Sequence, residues 1–137
     1  MQDLFAPQLD PQTIGGISSL GLAHIGDAVY EILVRTMLIT DGHTTGAHLH
    51  QETTALVCAP AQSAAADRIV PLLTEEELGY FRRGRNANVK HIPKNATHAE
   101  YARATGLEAL FGALYLLGRK PRLSELFSKI MEDRHAT

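Results

Sequence analysis

Apolar positions recur three and four residues apart along almost the whole chain, and no stretch alternates apolar with polar residues long enough to predict a strand. The first long segment, about Leu20 to Ile39, carries Leu22, Ile25, Val29, Ile32, Leu33 and Met37 on one face, and Asp41-Gly42 stops it. A second, weaker helix is predicted over about Gly46 to Cys58. Pro60 opens a third that ends near Leu73, with Pro71 distorting its last turn. Thr74 stands three residues before Glu77, a capping-box spacing that predicts a helix through Arg83. A loop from Gly84 to Ala96 follows, rich in Asn, Lys and His. Thr97 with Glu100 repeats the capping box and opens the strongest helix, about Thr97 to Leu117, which Gly118 closes. Pro121 begins a last helix that runs to about Asp133. The pattern predicts an all-α domain of five to seven helices without repeats or an internal linker, preceded by an extended or poorly ordered segment, residues 1–18.

Composition narrows this without changing it. At 137 residues, 45% apolar and 20% charged, the chain is one domain's worth of ordinary globular protein, so disorder is excluded as a general description. A single cysteine, Cys58, rules out a disulfide framework within the chain and points to a reducing compartment, with the thiol expected in the core. No apolar run reaches the roughly 20 residues of a membrane span. The opening MQDLFAPQLDPQ has no basic residue, unlike a secretory or transit peptide, so a cytoplasmic location is expected.

Charge adds a contrast. The net charge is −2, yet Arg82, Arg83, Arg85, Lys90, Lys94 and Arg103 face one acid, Glu100, within one segment, a local balance of +5 that leaves −7 on the rest. Such asymmetry marks either a polyanion-binding surface on an acidic body or a solvated basic loop.

Most acids sit where solvent is expected; Glu75, Glu76 and Glu77 crowd a helix start, where they favour the dipole. Asp27 and Glu108 do not. Asp27 falls mid-helix beside Gly26, two residues that each disfavour a helix interior. Glu108 lies between Gly106 and Gly112, with mostly small neighbours on its face (Ala104, Thr105, Phe111, Gly112), so another helix can approach closely there. Two carboxylates on closely packed helices repel unless protonated or bridged by a cation, and oxygen-only ligation suits Mg²⁺ or Mn²⁺. The alternative is that each acid makes its own salt bridge. Glu31, one turn from Asp27, is also four residues before Arg35, the favourable ion-pair spacing, and is expected to pair or support rather than ligate. The seven histidines, with His48 and His50 near His43, lack the partners of a zinc site and are expected to be exposed.

The segment Leu22-Ala23-His24-Ile25-Gly26-Asp27-Ala28-Val29-Tyr30-Glu31 resembles the signature helix of the ribonuclease III family, and Thr105-Gly106-Leu107-Glu108-Ala109-Leu110-Phe111-Gly112 resembles its second metal-binding helix. Arg83-Gly84-Arg85-Asn86-Ala87 and Pro93-Lys94-Asn95 are similar to its short branch, the Mini-ribonuclease III enzymes. Two of four usual carboxylates are replaced, by Ala23 and Thr105, a reduced pattern shared with that branch. The resemblance implies a ribonuclease III endonuclease-like helical bundle, a single catalytic domain over 1–137 without a double-stranded-RNA-binding domain, acting as a homodimer. It implies Mg²⁺-dependent cleavage of double-stranded RNA (Mn²⁺ a possible substitute) to 5′-phosphate and 3′-hydroxyl ends, with 23S ribosomal RNA precursor as substrate and a large-subunit ribosomal protein as a further partner. Asp27 and Glu108 would be catalytic and metal-binding. Glu31, Thr105 and His24 would support them, Thr105 by holding a metal-bound water and His24 by orienting Asp27. Glu52 is a further acid whose place is open. Arg82, Arg83, Arg85, Asn86, Lys90, Lys94 and Asn95 would contact RNA, duplex RNA being read mostly by shape and backbone. A non-catalytic helical RNA-binding module assisting ribosome assembly needs the basic loop without the metal. A hydrolase of small phosphorylated substrates needs the carboxylates without the loop.

Overall fold

The computed structural model describes residues 2–88 and 91–132. Among them are seven α-helices and no strand: α1 (Pro11–Gly15), α2 (Ser19–Thr40), α3 (Gly46–Val57), α4 (Ala59–Ile69), α5 (Glu75–Arg85), α6 (His98–Leu116) and α7 (Lys120–Ile130). Pro71 converts the end of α4 into a 3₁₀ turn, Val70–Leu72. Both predicted capping boxes form, Thr74 with Glu77 and Thr97 with Glu100, each accepting the third amide of its helix at 3.1 Å. Gly118 ends α6 at φ +78, the left-handed conformation that lets the Arg119 amide return to the Leu114 carbonyl at 2.9 Å. No described helix is long and apolar enough to cross a membrane.

Helix α6 organises the rest. Its residues from Ala109 to Leu114 are buried without interruption, the pattern of a helix enclosed on all sides, and α2, α4 and α5 pack around it. Leu22, Val34, Leu107, Leu110, Leu114 and Leu126 fill the core with no exposed surface. Tyr30 binds the layers together, its ring 5.3 Å from Phe111 and 5.8 Å from Phe127.

The α2–α6 crossing has no room for side chains at its centre. A Cβ on Gly26 would overlap the backbone carbonyl of Glu108, and one on Gly112 would overlap the carbonyl of Leu22. The small residues flanking the two acids therefore serve contact within the chain.

Three expectations need correction. Residues 1–18 are not uniformly extended: Asp10 caps α1 through the Thr13 amide at 2.7 Å, Pro11 occupies its first turn, and Ile14 is wholly buried. The segment is tied down by the Leu9 amide on the Leu116 carbonyl at 2.8 Å and by the Tyr115 hydroxyl on the Leu4 carbonyl. Cys58 is exposed at the α3–α4 junction, outside the core. Glu77 is buried, because Arg122 reaches it from α7 at 2.8 and 2.9 Å.

Candidate active site

The close crossing of α2 and α6 sets Asp27 beside Glu108. Asp27 is exposed and Glu108 half-buried, so the pair lies with one acid in solvent and one against the core. Burial, the adjacent Asp27 charge and a hydrogen bond shared with Asp27 push the Glu108 carboxyl up to about 8. Among the described residues no Lys or Arg forms a salt bridge with either carboxylate. A carboxylate pair in this setting is stable only with a shared proton or a bridging cation.

Glu31 has a partner of its own. Its carboxylate meets Arg35 at 3.4 Å, as the spacing predicted, on the side of α2 facing a groove of about 280 Å³ that Leu49 and His50 also line. His24 is exposed one turn before Asp27, and Glu52 is half-buried on α3. Thr105 is buried one turn before Glu108, and its hydroxyl donates to the Tyr101 carbonyl at 2.9 Å, which leaves only its oxygen to accept. No group of three His, Cys, Asp or Glu residues able to hold a metal occurs among the described residues; His43 and His48 instead stack their rings at 4.7 Å.

The donor set therefore consists of two carboxylates. That fits Mg²⁺ or Mn²⁺, which accept one or two protein carboxylates and fill their other positions with water and phosphate oxygens. It does not fit zinc, whose sites generally hold three or four protein ligands that include histidine or cysteine.

One participant was not anticipated. Gln62 on α4 is 2% exposed; its side chain is close enough to Glu108 for a loose hydrogen bond that favours the charged carboxylate, yet its Nε2 has no well-formed hydrogen-bond partner. The available signal was a lone amide in an alanine-rich helix, Ala59-Pro60-Ala61-Gln62-Ser63-Ala64-Ala65-Ala66.

The basic segment divides in two. Arg82, Arg85, Asn86, Lys94 and Asn95 are exposed; Arg85 lies 5.9 Å from the centre of the Phe81 ring and its Nε donates to Asn86 Oδ1 at 3.3 Å. Arg83 is committed to the fold, its guanidinium donating to the Ile14 carbonyl at 3.3 Å and to that of Ile17. Arg103 is committed likewise, to Ser63 Oγ at 2.7 Å and Asp67 at 3.6 Å. Arg83 thus leaves the set expected to contact RNA, and Lys90 lies outside the described residues.

Residues 20–119 match the Ribonuclease III domain family. Among curated proteins, the chain is 48% identical over 107 residues to a Mini-ribonuclease 3 of Symbiobacterium thermophilum, spanning 78% of this chain and 82% of that one. It is 41% identical over 128 residues to a Mini-ribonuclease 3 of a Thermoanaerobacter species, spanning 91% and 90%. Among solved structures, a Fusobacterium nucleatum protein superposes with a TM-score of 0.79 at 32% identity, covering 85% of this chain and 93% of its own.

Proposed function

Since the chain belongs to the ribonuclease III family, in its Mini-ribonuclease 3 branch, and is a ribonuclease, we propose that it cleaves double-stranded RNA endonucleolytically at Asp27 and Glu108 with Mg²⁺ as cofactor. The observation that carries this reading is the Asp27–Glu108 pair itself, two acids pressed together across a glycine crossing without a base to neutralise them. Asp27 and Glu108 hold the cation. When bound, it supplies positive charge at the scissile phosphate and acidifies water, the chemistry that phosphodiester hydrolysis requires. Glu108 gives up its proton to ligate, so cation affinity rises with pH through the neutral range. Thr105 accepts from a water of the cation; its hydroxyl donates to the Tyr101 carbonyl, which supports this by leaving the oxygen free to accept.

Arg82, Arg85 and Lys94 neutralise backbone phosphates, while Asn86 and Asn95 offer donors and acceptors to phosphates and 2′-hydroxyls. The products carry 5′-phosphate and 3′-hydroxyl ends. The substrate is 23S ribosomal RNA precursor in the cytoplasm, presented with a large-subunit ribosomal protein. The active form is a homodimer; Ile32 and Ile39, seven residues apart on α2, are 59% and 56% exposed and supply an apolar stripe for it.

The test is cleavage of an end-labelled perfect RNA duplex, with Mg²⁺ present or chelated, by wild type and Glu108→Gln. Cleavage that requires both Mg²⁺ and Glu108 is expected. A duplex that is bound but left intact with either Mg²⁺ or Mn²⁺ overturns the reading in favour of a non-catalytic RNA-binding module. Substituting Gln at Arg82, Arg85 and Lys94 together should weaken duplex affinity and flatten its salt dependence by about two to three units of slope, at ~0.7–0.9 per phosphate contact. Unchanged affinity at low salt removes the loop from the interface.

A further inference from the structure

Among the described residues, Gln62 Nε2 is the buried side-chain nitrogen that lacks a hydrogen-bond partner. A buried donor left unsatisfied is destabilising, and native proteins hold few without a functional reason. This one lies on α4, which packs along α6, the helix that carries Glu108. The placement is held firmly. The next residue, Ser63, accepts from Arg103 Nε at 2.7 Å, Arg103 also reaches Asp67 at 3.6 Å, and Ala65, Ala66 and Ile69 are buried beneath the same helix. At 2% exposure Gln62 is covered from solvent and from any RNA, so it does not contact substrate.

We propose that Gln62 is a positioning residue for Glu108: its buried Nε2 donates to the Glu108 carboxylate when that carboxylate turns to ligate the cation, and so completes the site from behind. The inference rests on the assignment of Asp27 and Glu108 as the cation-holding pair. A metal-binding carboxylate is generally oriented by hydrogen bonds to its other oxygen, and losing such a bond typically lowers metal affinity or activity by 10–100-fold. Gln62 meets the chemical requirement, since a neutral amide orients a carboxylate without competing with the cation for its charge. The proposal also gives the unsatisfied donor a purpose. Gln62 already makes a loose contact with Glu108, short of a full hydrogen bond; that bond is completed on binding, so Gln62 slightly destabilises the cation-free state and stabilises the other.

This opposition separates a positioning role from a packing role. Gln62→Met keeps the length of the side chain and removes the donor; Gln62→Asn keeps the amide and shortens its reach. The experiment measures Mn²⁺ affinity by calorimetry and the melting temperature without divalent cation, for wild type, Gln62→Met, Gln62→Asn and Glu108→Gln, with duplex cleavage as a third readout. Gln62→Met should melt at or above wild type without cation, bind Mn²⁺ about tenfold or more weakly, and lose kcat with KM for the duplex unchanged. Gln62→Asn should fall between the two.

If Gln62→Met melts lower while binding Mn²⁺ as wild type does, Gln62 is a packing residue and the proposal is overturned. It is equally overturned if affinity, melting and kcat are all unchanged. If wild type itself shows no Mn²⁺ binding that depends on Glu108, the cation site fails, and the role of Gln62 falls with it. Normal binding by wild type, loss in Glu108→Gln and normal binding in Gln62→Met would remove the Gln62 assignment alone.

Discussion

Two places in this molecule press acids against neighbouring helices, and they treat the charge in opposite ways. At the start of α5, Glu76 and Glu77 are each answered by an arginine near or within the first turn of α7: Arg119 grips Glu76 at 2.7 and 3.1 Å, and Arg122 grips Glu77 at 2.8 and 2.9 Å. Burial raises the Glu77 carboxyl, but Arg122 and the Thr74 amide outweigh it and hold it below the usual carboxylate range. At the α2–α6 crossing, Asp27 and Glu108 meet each other instead, and Glu108 is pushed up to about 8. The first arrangement is complete within the chain and ties the start of α5 to the start of α7 by ion pairs. The second is incomplete without a proton or a cation. Charge neutralised internally serves the fold, and charge left to be neutralised by something else serves binding.

Removing each acid or its partner tests that distinction. The largest effect is expected in catalysis: Asp27→Asn or Glu108→Gln should lower duplex cleavage about a thousandfold or more, equivalent to about 4 kcal/mol of barrier. Neither should lower the melting temperature of the cation-free protein above about pH 8, where Glu108 has lost its proton and each substitution removes repulsion. Next, Gly26→Ala should destabilise the fold by about 3 kcal/mol, measured by urea unfolding, because the added methyl must push Glu108's backbone away. Cleavage should fall with it, as the two carboxylates separate. Arg122→Met should cost about 2 kcal/mol by leaving Glu77 buried and unanswered, with little change in kcat at temperatures where the variant stays folded. If Arg122→Met abolished cleavage while Glu108→Gln unfolded the protein, the two regions would have been assigned backwards.

A further effect is in pH dependence, and its sign differs between the regions. Glu108 in the folded chain is raised from the ordinary 4.5 to about 8, so between those values the folded state holds a proton that the unfolded state has lost. Its contribution therefore lowers the stability of cation-free protein as pH climbs through that range, and Glu108→Gln should remove the slope. Glu77 is lowered on folding, so it stabilises above the ordinary carboxylate range, and that contribution disappears as pH falls through its folded value. Urea unfolding from pH 4 to 8, with and without each substitution, separates the two.

What the sequence disclosed follows from the range of the interactions involved. Helices α2 to α7 were legible because their start and stop signals lie within a few residues of one another: Thr74 with Glu77, Thr97 with Glu100, and Gly118 after Leu117. Asp27 and Glu108 were legible as exceptions, acids beside glycines inside apolar helices, and the family resemblance supplied their pairing. Short α1 carried its own signal, Asp10 before Pro11, but Ile14 alone marks its buried face, too little for periodicity to register. The fates of Arg83, Arg103 and Glu77 were hidden because their hydrogen-bond partners stand 40 to 69 residues away. A run of arginines looks equally basic whether its members face solvent or cap a distant carbonyl. Small residues are ambiguous in the same way: Gly26 and Gly112 announce a close approach without saying whether the neighbour belongs to the same chain.

As proposed, Asp27 and Glu108 form a carboxylate pair that exchanges a proton for a divalent cation. Calorimetric titration of Mn²⁺ at pH 7 into wild type and Glu108→Gln, repeated in two buffers of different ionisation enthalpy, tests that exchange most directly. Binding by wild type with release of a proton is expected, and neither binding nor release in Glu108→Gln. Equal binding by both proteins, or binding by wild type without proton release, would contradict it.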